Sequence, residues 1–369
     1  MQMDKLTLQN FRNYQDESFL FSPGVNIICG ENGQGKTNLL EALAACATMR
    51  LFRTQQRKEG LRFGEDLSCV YGALRAQERH VSILLRLSRT RPMEIFRNGV
   101  RQKRQSDMQG VFQTVLFCPE DLALVRQGAA VRRKFLDTAL CQLRPNYARS
   151  LEEYRRLYQH KTRILRDGEQ QPSLLSLWED FSIQMAQFGA QIIRYRAYYC
   201  KKLLEEAARI HAEIAPHETL SAHYQTVSAV IDPYASTKAV AQQLIEHVLA
   251  HKSAEIAAKS CLSGPHKDDL HLYINDRKAA AFASQGQTRT CALSLKLAER
   301  EMFHFESKEY PVLLLDDVLS ELDHKRQDFV LNHIAEGQTF ITCCEDNISE
   351  RQNAGSIFFI QNGKIISQK

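Results

Sequence analysis

Hydrophobic positions alternate or cluster in short runs near the start of the chain, through residues 3–8 and 17–21, as they do in β-strands. Val25-Asn26-Ile27-Ile28-Cys29 reads as a buried strand that runs straight into a glycine-rich turn. After the turn the period changes, and Leu39, Leu40, Leu43, Ala44 and Ala47 recur at helical spacing. Residues 68–117 return to strand-like patterns at Ser68–Leu74, Val81–Leu87, Met93–Phe96 and Thr114–Phe117. Asn98-Gly99 falls where a tight hairpin turn needs positive φ angles.

Beyond Glu120 the pattern is helical. Tyr147, Leu151, Tyr154, Tyr158 and Leu165 keep three-and-four spacing up to a break at residues 167–172. A longer stripe then runs Leu174, Trp178, Phe181, Met185, Phe188, Ile192, Tyr195, Tyr199, Leu203, close to a heptad seam. Two such helices joined by a short turn form an antiparallel hairpin, with the aromatic stripe as its packing seam rather than a base-stacking surface. A third helical stretch covers roughly Ser236–Ser260. From Asp268 the chain alternates strand and helix again: Leu270–Ile274 strand, Gln287–Phe305 helix, then strands at Val312–Leu315, Thr339–Thr342 and Ile357–Ile360, with Asn362-Gly363 as a final hairpin turn. The simplest architecture is one α/β domain built from both chain ends, with a helical insertion between its halves.

Composition adds little to that outline but closes some alternatives. The 369 residues, 44% hydrophobic and 25% charged, suffice for a large core in two packed units. No apolar run approaches the roughly 18 residues needed to span a bilayer, and residues 1–6 lack the basic-then-apolar order of a secretion signal. Ten cysteines stand singly except Cys343-Cys344, with no C-x-x-C pair, which argues against zinc or a disulfide framework and for a reducing cytoplasm. Net charge is only +5, yet Arg50 to Arg166 holds 25 Lys and Arg against 11 Asp and Glu. Such a basic middle is either an electrostatic footprint for nucleic acid or a solvated surface.

The strongest chemical signal is Gly30-Glu31-Asn32-Gly33-Gln34-Gly35-Lys36-Thr37, a complete G-x-x-x-x-G-K-T between an expected strand and an expected helix. Its glycines let backbone N–H groups turn inward around phosphate oxygens, and the helix start adds partial positive charge. Lys36 would reach the β- and γ-phosphates of ATP and Thr37 would ligate Mg²⁺; Asn38 follows in the same turn. Val312-Leu313-Leu314-Leu315-Asp316-Asp317 is its partner, an apolar strand ending in two carboxylates. Asp316 would hold Mg²⁺, directly or through water, and Asp317 would orient or deprotonate the attacking water, making Asp317 and Lys36 the candidate catalytic pair. Ser284-Gln285-Gly286-Gln287 opens a helix, and a helix start carrying a serine and a glycine suits a γ-phosphate, with Ser284, Gly286 and Gln287 as candidate ligands. Ser320-Glu321-Leu322-Asp323 follows the aspartates and adds Asp323 to that set. Phosphate loop, long insertion, S-x-G-Q, strand-Asp and S-x-L-D is the order of the ABC-type ATPases, in which the serine motif of one subunit closes over the nucleotide held by another.

The chain also resembles the RecF family of bacterial DNA replication and repair proteins, within the wider group that includes SMC proteins. The resemblance is carried by residues 8–14 (LQNFRNY), 30–41 (GENGQGKTNLLE), 119–122 (PEDL), 132–137 (RRKFLD), 264–270 (GPHKDDL), 284–287 (SQGQ) and 313–323 (LLLDDVLSELD), in the family's order across nearly the whole chain. It implies an ABC-type head from residues 1–125 and 262–369, with a helical, coiled-coil-like lid at 126–261. It further implies ATP-dependent homodimerisation on single- and double-stranded DNA, including gap junctions, weak ATP hydrolysis, and work with RecO and RecR in loading RecA. By the same resemblance Arg12 and Asn13 are candidates for contacts near the nucleotide. Arg53 occupies a basic family position, but Leu51-Phe52 stands in place of an expected Ser-His pair, and Thr288 and Lys267 replace an expected Gln and Arg.

Two departures from ABC transporters bear on chemistry. The second carboxylate is Asp317 rather than Glu, one methylene shorter, so slow turnover is expected. Cys343-Cys344-Glu345-Asp346 follows the strand where transporters carry a histidine, and His266 reads as a structural residue. Arg101, Lys103, Arg104, Arg132, Arg133 and Lys134 are the candidate DNA contacts, through backbone phosphate rather than base edges. A transporter's ATPase subunit shares the ATP motifs, but its insertion is normally much shorter. An SMC-like scaffold that binds ATP without useful turnover is the third reading.

Overall fold

A computed structural model describes residues 1–54, 56–227, 230–344 and 355–369. They fall into two compact units, one of residues 1–122, 213–215 and 289–369, the other of 123–212 and 216–288.

The first unit is built on two six-stranded sheets. One is antiparallel, in the order Tyr14–Leu20, Gln2–Phe11, Leu67–Ala76, Arg79–Ser88, Glu94–Arg97, Val100–Arg101. Its strands alternate as expected of a sheet with one wet face: Met3, Leu6, Leu8 and Phe11 point into the core, and Lys5 and Gln9 point out. The other sheet runs Lys364–Gln368, Ser356–Gln361, Val25–Cys29, Thr339–Cys343, Val312–Leu315, Thr114–Phe117, parallel except at its Lys364–Gln368 edge. Its central strands are covered on both faces, which explains the unbroken apolar run Val312–Leu315. The helix Lys36–Thr48 lies in the same core as inward residues of both sheets; Leu39, Leu40, Leu43 and four alanines are buried there beside Leu6, Val70, Leu314 and Phe340. Asn98 and Asn362 take φ of 50°, followed by Gly99 at 77° and Gly363 at 70°, so both Asn-Gly pairs turn hairpins as their sequence suggested.

The second unit carries the helices. Pro145–Asp167 and Trp178–Ile214 run antiparallel: Tyr147 meets Tyr195 edge to face at 5.7 Å, Ser150 bonds Gln191 at 2.6 Å, and His160 packs on Phe181 at 5.8 Å. The seam is buried at Trp178, Met185, Ile192, Tyr199 and Leu203, while Leu174 belongs to a short 3-10 turn ahead of the helix. Trp178 is held by its indole N–H on the Glu255 carboxylate (3.1 Å), which also pairs with buried Lys161 at 2.6 Å. Among the described residues, no helix is long and apolar enough to cross a membrane.

The division differs from the expected boundary. Residues 262–288 group with the helical unit, because Asp269–Ile274 pairs antiparallel with Leu220–Gln225, a strand the pattern did not suggest. A buried ionic cluster reinforces that grouping. Arg196 gives Asp137 a 2.7 Å ion pair and Pro265 O a 2.7 Å hydrogen bond, and approaches Asp268 at 3.5 Å; Tyr147 and Tyr224 donate to the two aspartates.

Candidate functional site

The site begins at the C-terminal end of Val25–Cys29. The loop from Gly30 to Gly35 needs its glycines for separate reasons. Gly33 and Gly35 take φ of 80° and 120°. A Cβ at Gly30 would lie 2.4 Å from Ile360 O, and one at Gly35 would lie 2.7 Å from the Asn13 amide. The loop is gripped from two hairpin turns. Asn13 donates to Gln34 O (2.8 Å), Tyr14 donates to Gly35 O (2.9 Å), and the backbone N–H groups of Asn362 and Gly363 donate to Gln34 Oε1 and O at 2.6 and 2.9 Å. Glu31 and Asn32 are exposed at its crest. The loop is therefore a pre-formed phosphate cradle, held by residues from both ends of the chain.

Lys36 is buried, with Nζ on Gly30 O (2.7 Å), Glu31 O (3.3 Å) and Cys344 Sγ (3.3 Å), so its ammonium sits inside the loop's own curve. Thr37 donates to Asp316 Oδ1 at 3.0 Å. Asp316 reaches it because Val312–Leu315 lies parallel to Thr114–Phe117 and Thr339–Cys343, the latter neighbouring Val25–Cys29. Thr342 completes the arrangement: its hydroxyl donates to Asp316 Oδ1 (2.9 Å) and accepts from Asp317 N (2.8 Å), fixing both aspartates. Asp317 takes a φ of 51°, strained for a non-glycine residue and the kind of outlier that collects at functional sites. Burial pushes the Asp316 carboxyl above its usual range; hydrogen bonds from Thr342 and Thr37 oppose that, and the charges of Asp317 and Glu120 add to it. A partly buried hydroxyl–carboxylate pair beside a phosphate loop, with no ion-pair partner among the described residues, fits the oxygen ligand set of Mg²⁺.

The structure thus brings Lys36, Thr37, Asp316 and Asp317 together. Arg12 and Asn13 lie beside the loop as braces. Asn38 donates to Asn13 Oδ1 (2.8 Å) and accepts from Arg53 Nη1 (3.0 Å), while Arg12 Nε donates to the fully buried Glu41 carboxylate at 2.7 Å. Asp323 caps the helix His324–His333, its Oδ1 accepting from Arg326 N at 3.0 Å, which with the Arg326 charge holds its carboxyl below the usual range. Glu345 and Asp346 lie outside the described residues. Sequence reasoning missed Thr342, Tyr14 and Glu41. Of these only Glu41 left a signal, a carboxylate set into the apolar run of its helix.

In the helical unit, Ser284 and Gln287 form a reciprocal cap. Ser284 Oγ accepts from Gln287 N (3.2 Å), and Gln287 Oε1 accepts from Ser284 N (2.9 Å). Ser284 itself is exposed at the helix start. Gly286 follows it in the first turn. Gln287 also donates to Glu218 at 3.1 Å, and Glu218 contacts the buried His211 at 3.3 Å.

Of the candidate DNA contacts, Arg132 needs correction, whereas Arg133 is half-buried. Arg132 is buried, bidentate on Asp269 at 2.7 and 2.8 Å and bonded to two backbone carbonyls; Arg133 donates to Asp268 O at 2.7 Å. The RRKFLD and GPHKDD stretches therefore clasp each other, and four of the five guanidinium N–H donors of buried Arg132 are spent inside the protein. Arg101, Lys103, Arg104 and Lys134 are exposed, Arg101 beside Glu94. His266 is structural in its contacts, with Nδ1 on the Tyr154 hydroxyl (2.6 Å) and Nε2 on Cys261 O (3.1 Å); burial lowers it to about 4. No group of His, Cys, Asp and Glu with metal-cluster geometry occurs among the described residues.

A pre-formed phosphate loop, an aspartate pair at the end of a parallel strand one strand removed from the loop's own, and an inserted helical unit define an ABC/SMC-type ATPase head. The family model for the RecF/RecN/SMC N terminal domain matches residues 2–366. A DNA replication and repair protein RecF of Acetivibrio thermocellus is 34% identical over 361 residues, 98% of each chain. Its counterpart from Lactobacillus johnsonii is 39% identical over 345 residues, 93% of this chain and 92% of that one. A solved structure of the recombination mediator protein RecF with ATP, in the RecFOR pathway, matches with a TM-score of 0.92 at 32% identity, over 99% of this chain and 96% of that one. The chain belongs to the RecF family of DNA replication and repair proteins. Family membership over its full span sets aside the transporter-subunit reading.

Proposed function

We propose that the protein is an ATP-dependent DNA-binding ATPase of recombinational repair, whose nucleotide site is completed by a second copy of itself. The observation that carries this reading is the Thr37–Asp316–Thr342–Asp317 chain of contacts beside the braced loop around Lys36. The loop N–H groups and Lys36 bind the triphosphate, Thr37 and Asp316 would hold Mg²⁺, and Asp317 orients the attacking water. A Mg²⁺ ion held there would supply charge neutralisation for the triphosphate. Ser284, exposed on a capped helix start, closes over the γ-phosphate held by the partner copy. Asp317 has a shorter reach than a glutamate, so hydrolysis is slow and the ATP-joined dimer persists. That dimer binds single- and double-stranded DNA through backbone phosphate, Arg101, Lys103, Arg104 and Lys134 contributing, and acts with RecO and RecR to load RecA at gaps.

Molecular mass in solution, measured with and without ATP and a duplex fragment, tests the reading. The expected result is an ATP-driven shift from monomer to dimer, lost in Lys36→Ala and in Ser284→Arg. Dimerisation and hydrolysis unchanged by Ser284→Arg would refute the shared site, and duplex affinity indifferent to both salt and ATP would refute the DNA clamp.

A further inference from the structure

The carboxylate of Glu41 is completely buried, one helical turn beyond Thr37, where an unpaired charge would be costly. Both of its oxygens are used, and each holds a different arginine-bearing segment at the nucleotide loop. Oε2 accepts from Arg12 Nε (2.7 Å), and Oε1 accepts from Arg53 N (3.1 Å). From those two segments the contacts close into a ring. Arg53 Nη1 donates to Asn38, Asn38 donates to Asn13, and Asn13 donates to Gln34 O within the phosphate loop. Arg12 is the unusual member. It sits at a φ of 54° in the two-residue turn between Gln2–Phe11 and Tyr14–Leu20, and Glu41 engages only one edge of its guanidinium. Its Nη2 is buried and has no hydrogen-bond acceptor among the described residues. A buried guanidinium nitrogen left unsatisfied costs stability, and a strained turn holding it there indicates a site kept for a ligand.

We propose that Glu41 is a positioning residue for nucleotide binding: it fixes Arg12 so that the free Nη2 edge meets an acceptor on the bound nucleotide, and it ties the Arg53 segment to the same point. The guanidinium is the donor and the nucleotide's anionic part the acceptor, with no proton transferred. Glu41 itself touches no substrate. The inference rests on the ATP-binding reading above and deepens it.

The test is a double-mutant cycle read by titration of a fluorescent ATP analogue, with thermal melting as the check on folding. Glu41→Gln keeps the volume and loses the charge; Arg12→Lys keeps the charge and loses Nη2. Each is expected to weaken nucleotide affinity by about tenfold, the scale of one charge-assisted hydrogen bond. The double variant should fall no further than the weaker single one, because Glu41 acts through Arg12. Independent, additive losses would reduce Glu41 to a scaffold residue and overturn the proposal. Undiminished affinity in Arg12→Lys, which leaves the buried carboxylate paired, would overturn it even if Glu41→Gln failed to fold. Lys36→Ala separates the two readings: if that variant still binds nucleotide, the ATP site itself is wrong, whereas loss there with intact binding in Glu41→Gln sinks only the positioning role.

Discussion

Replacing Arg132 by alanine should unfold the helical unit more easily and leave intrinsic DNA contacts alone. The guanidinium donates four hydrogen bonds: two to Asp269 at 2.7 and 2.8 Å, and two to Leu124 O and Gln127 O at 3.2 and 2.5 Å. Its side chain is 9% exposed and that of Asp269 16%, so solvent cannot replace what is lost. Removing one member of a buried ion pair costs about 3–5 kcal/mol, mostly from the stranded partner charge. At roughly 2–4 °C per kcal/mol for a unit of this size, even the lower figure lowers the melting temperature by about 6–12 °C. Acidification adds a second signature. Burial acts to raise the Asp269 carboxyl, but the Arg132 hydrogen bonds and charge, with the Leu270 N–H, outweigh it and hold the group below its usual range. A depressed folded-state value gives stability that is full above the unfolded carboxylate value near pH ~4 and fades as pH falls through the folded one. The deficit of Arg132→Ala against the parent protein should therefore be constant near neutrality and shrink below about pH 4. Scanning calorimetry over a pH series measures both effects. Arg101→Ala is the control: that side chain is 66% exposed, so its melting temperature should barely move while duplex affinity and its salt dependence fall. A folded Arg132→Ala protein with unchanged melting but weakened DNA binding would refute the assignment of this arginine to the clasp.

Three further outcomes are expected. Asp317→Asn should lose ATP hydrolysis while keeping ATP-dependent dimerisation, whereas Lys36→Ala should lose both; a steady-state phosphate assay beside sedimentation distinguishes them. Thr342→Val strands Asp317 N and removes a hydrogen bond from Asp316, a loss of about 1–3 kcal/mol that should slow hydrolysis by roughly ten- to a hundredfold, measured at saturating ATP. His266, lowered to about 4 by burial, is neutral in the fold and charged in the unfolded chain between that value and its ordinary one near 6.5. Stability should therefore fall as pH drops from about 6.5 to about 4, and a melting series on His266→Gln should show a shallower slope there.

What was legible in the sequence follows from the range of the interactions involved. The loop Gly30–Thr37, the two Asn-Gly turns and the antiparallel helix pair are written in local patterns, because φ > 0 glycines, helix starts and heptad seams are set by residues within a few positions of one another. Thr342 was invisible for the opposite reason. It reads as one more residue of an apolar strand, and only the parallel register of Thr339–Cys343 with Val312–Leu315 puts its hydroxyl between the two aspartates. Arg132 misled because sequence shows charge without burial. Its partner Asp269 is 137 positions away, and a cation next to another cation looks the same whether it faces solvent or a carboxylate. The same long-range pairing redraws the domain boundary. Asp269–Ile274 resembles any strand on its own, but its neighbour Leu220–Gln225 and the anchors Arg132, Arg133 and Arg196 all belong to the helical unit, and they carry the following helix start with them. Ser284 is thus mounted on the unit that also contains the long helix Trp178–Ile214, through Gln287, Glu218 and His211. Any strain on that helix has a hydrogen-bonded path to the serine, whereas the loop around Lys36 is braced separately by the hairpin turns at Asn13 and Gly363. The serine motif and the phosphate loop are consequently held by different frameworks within one chain.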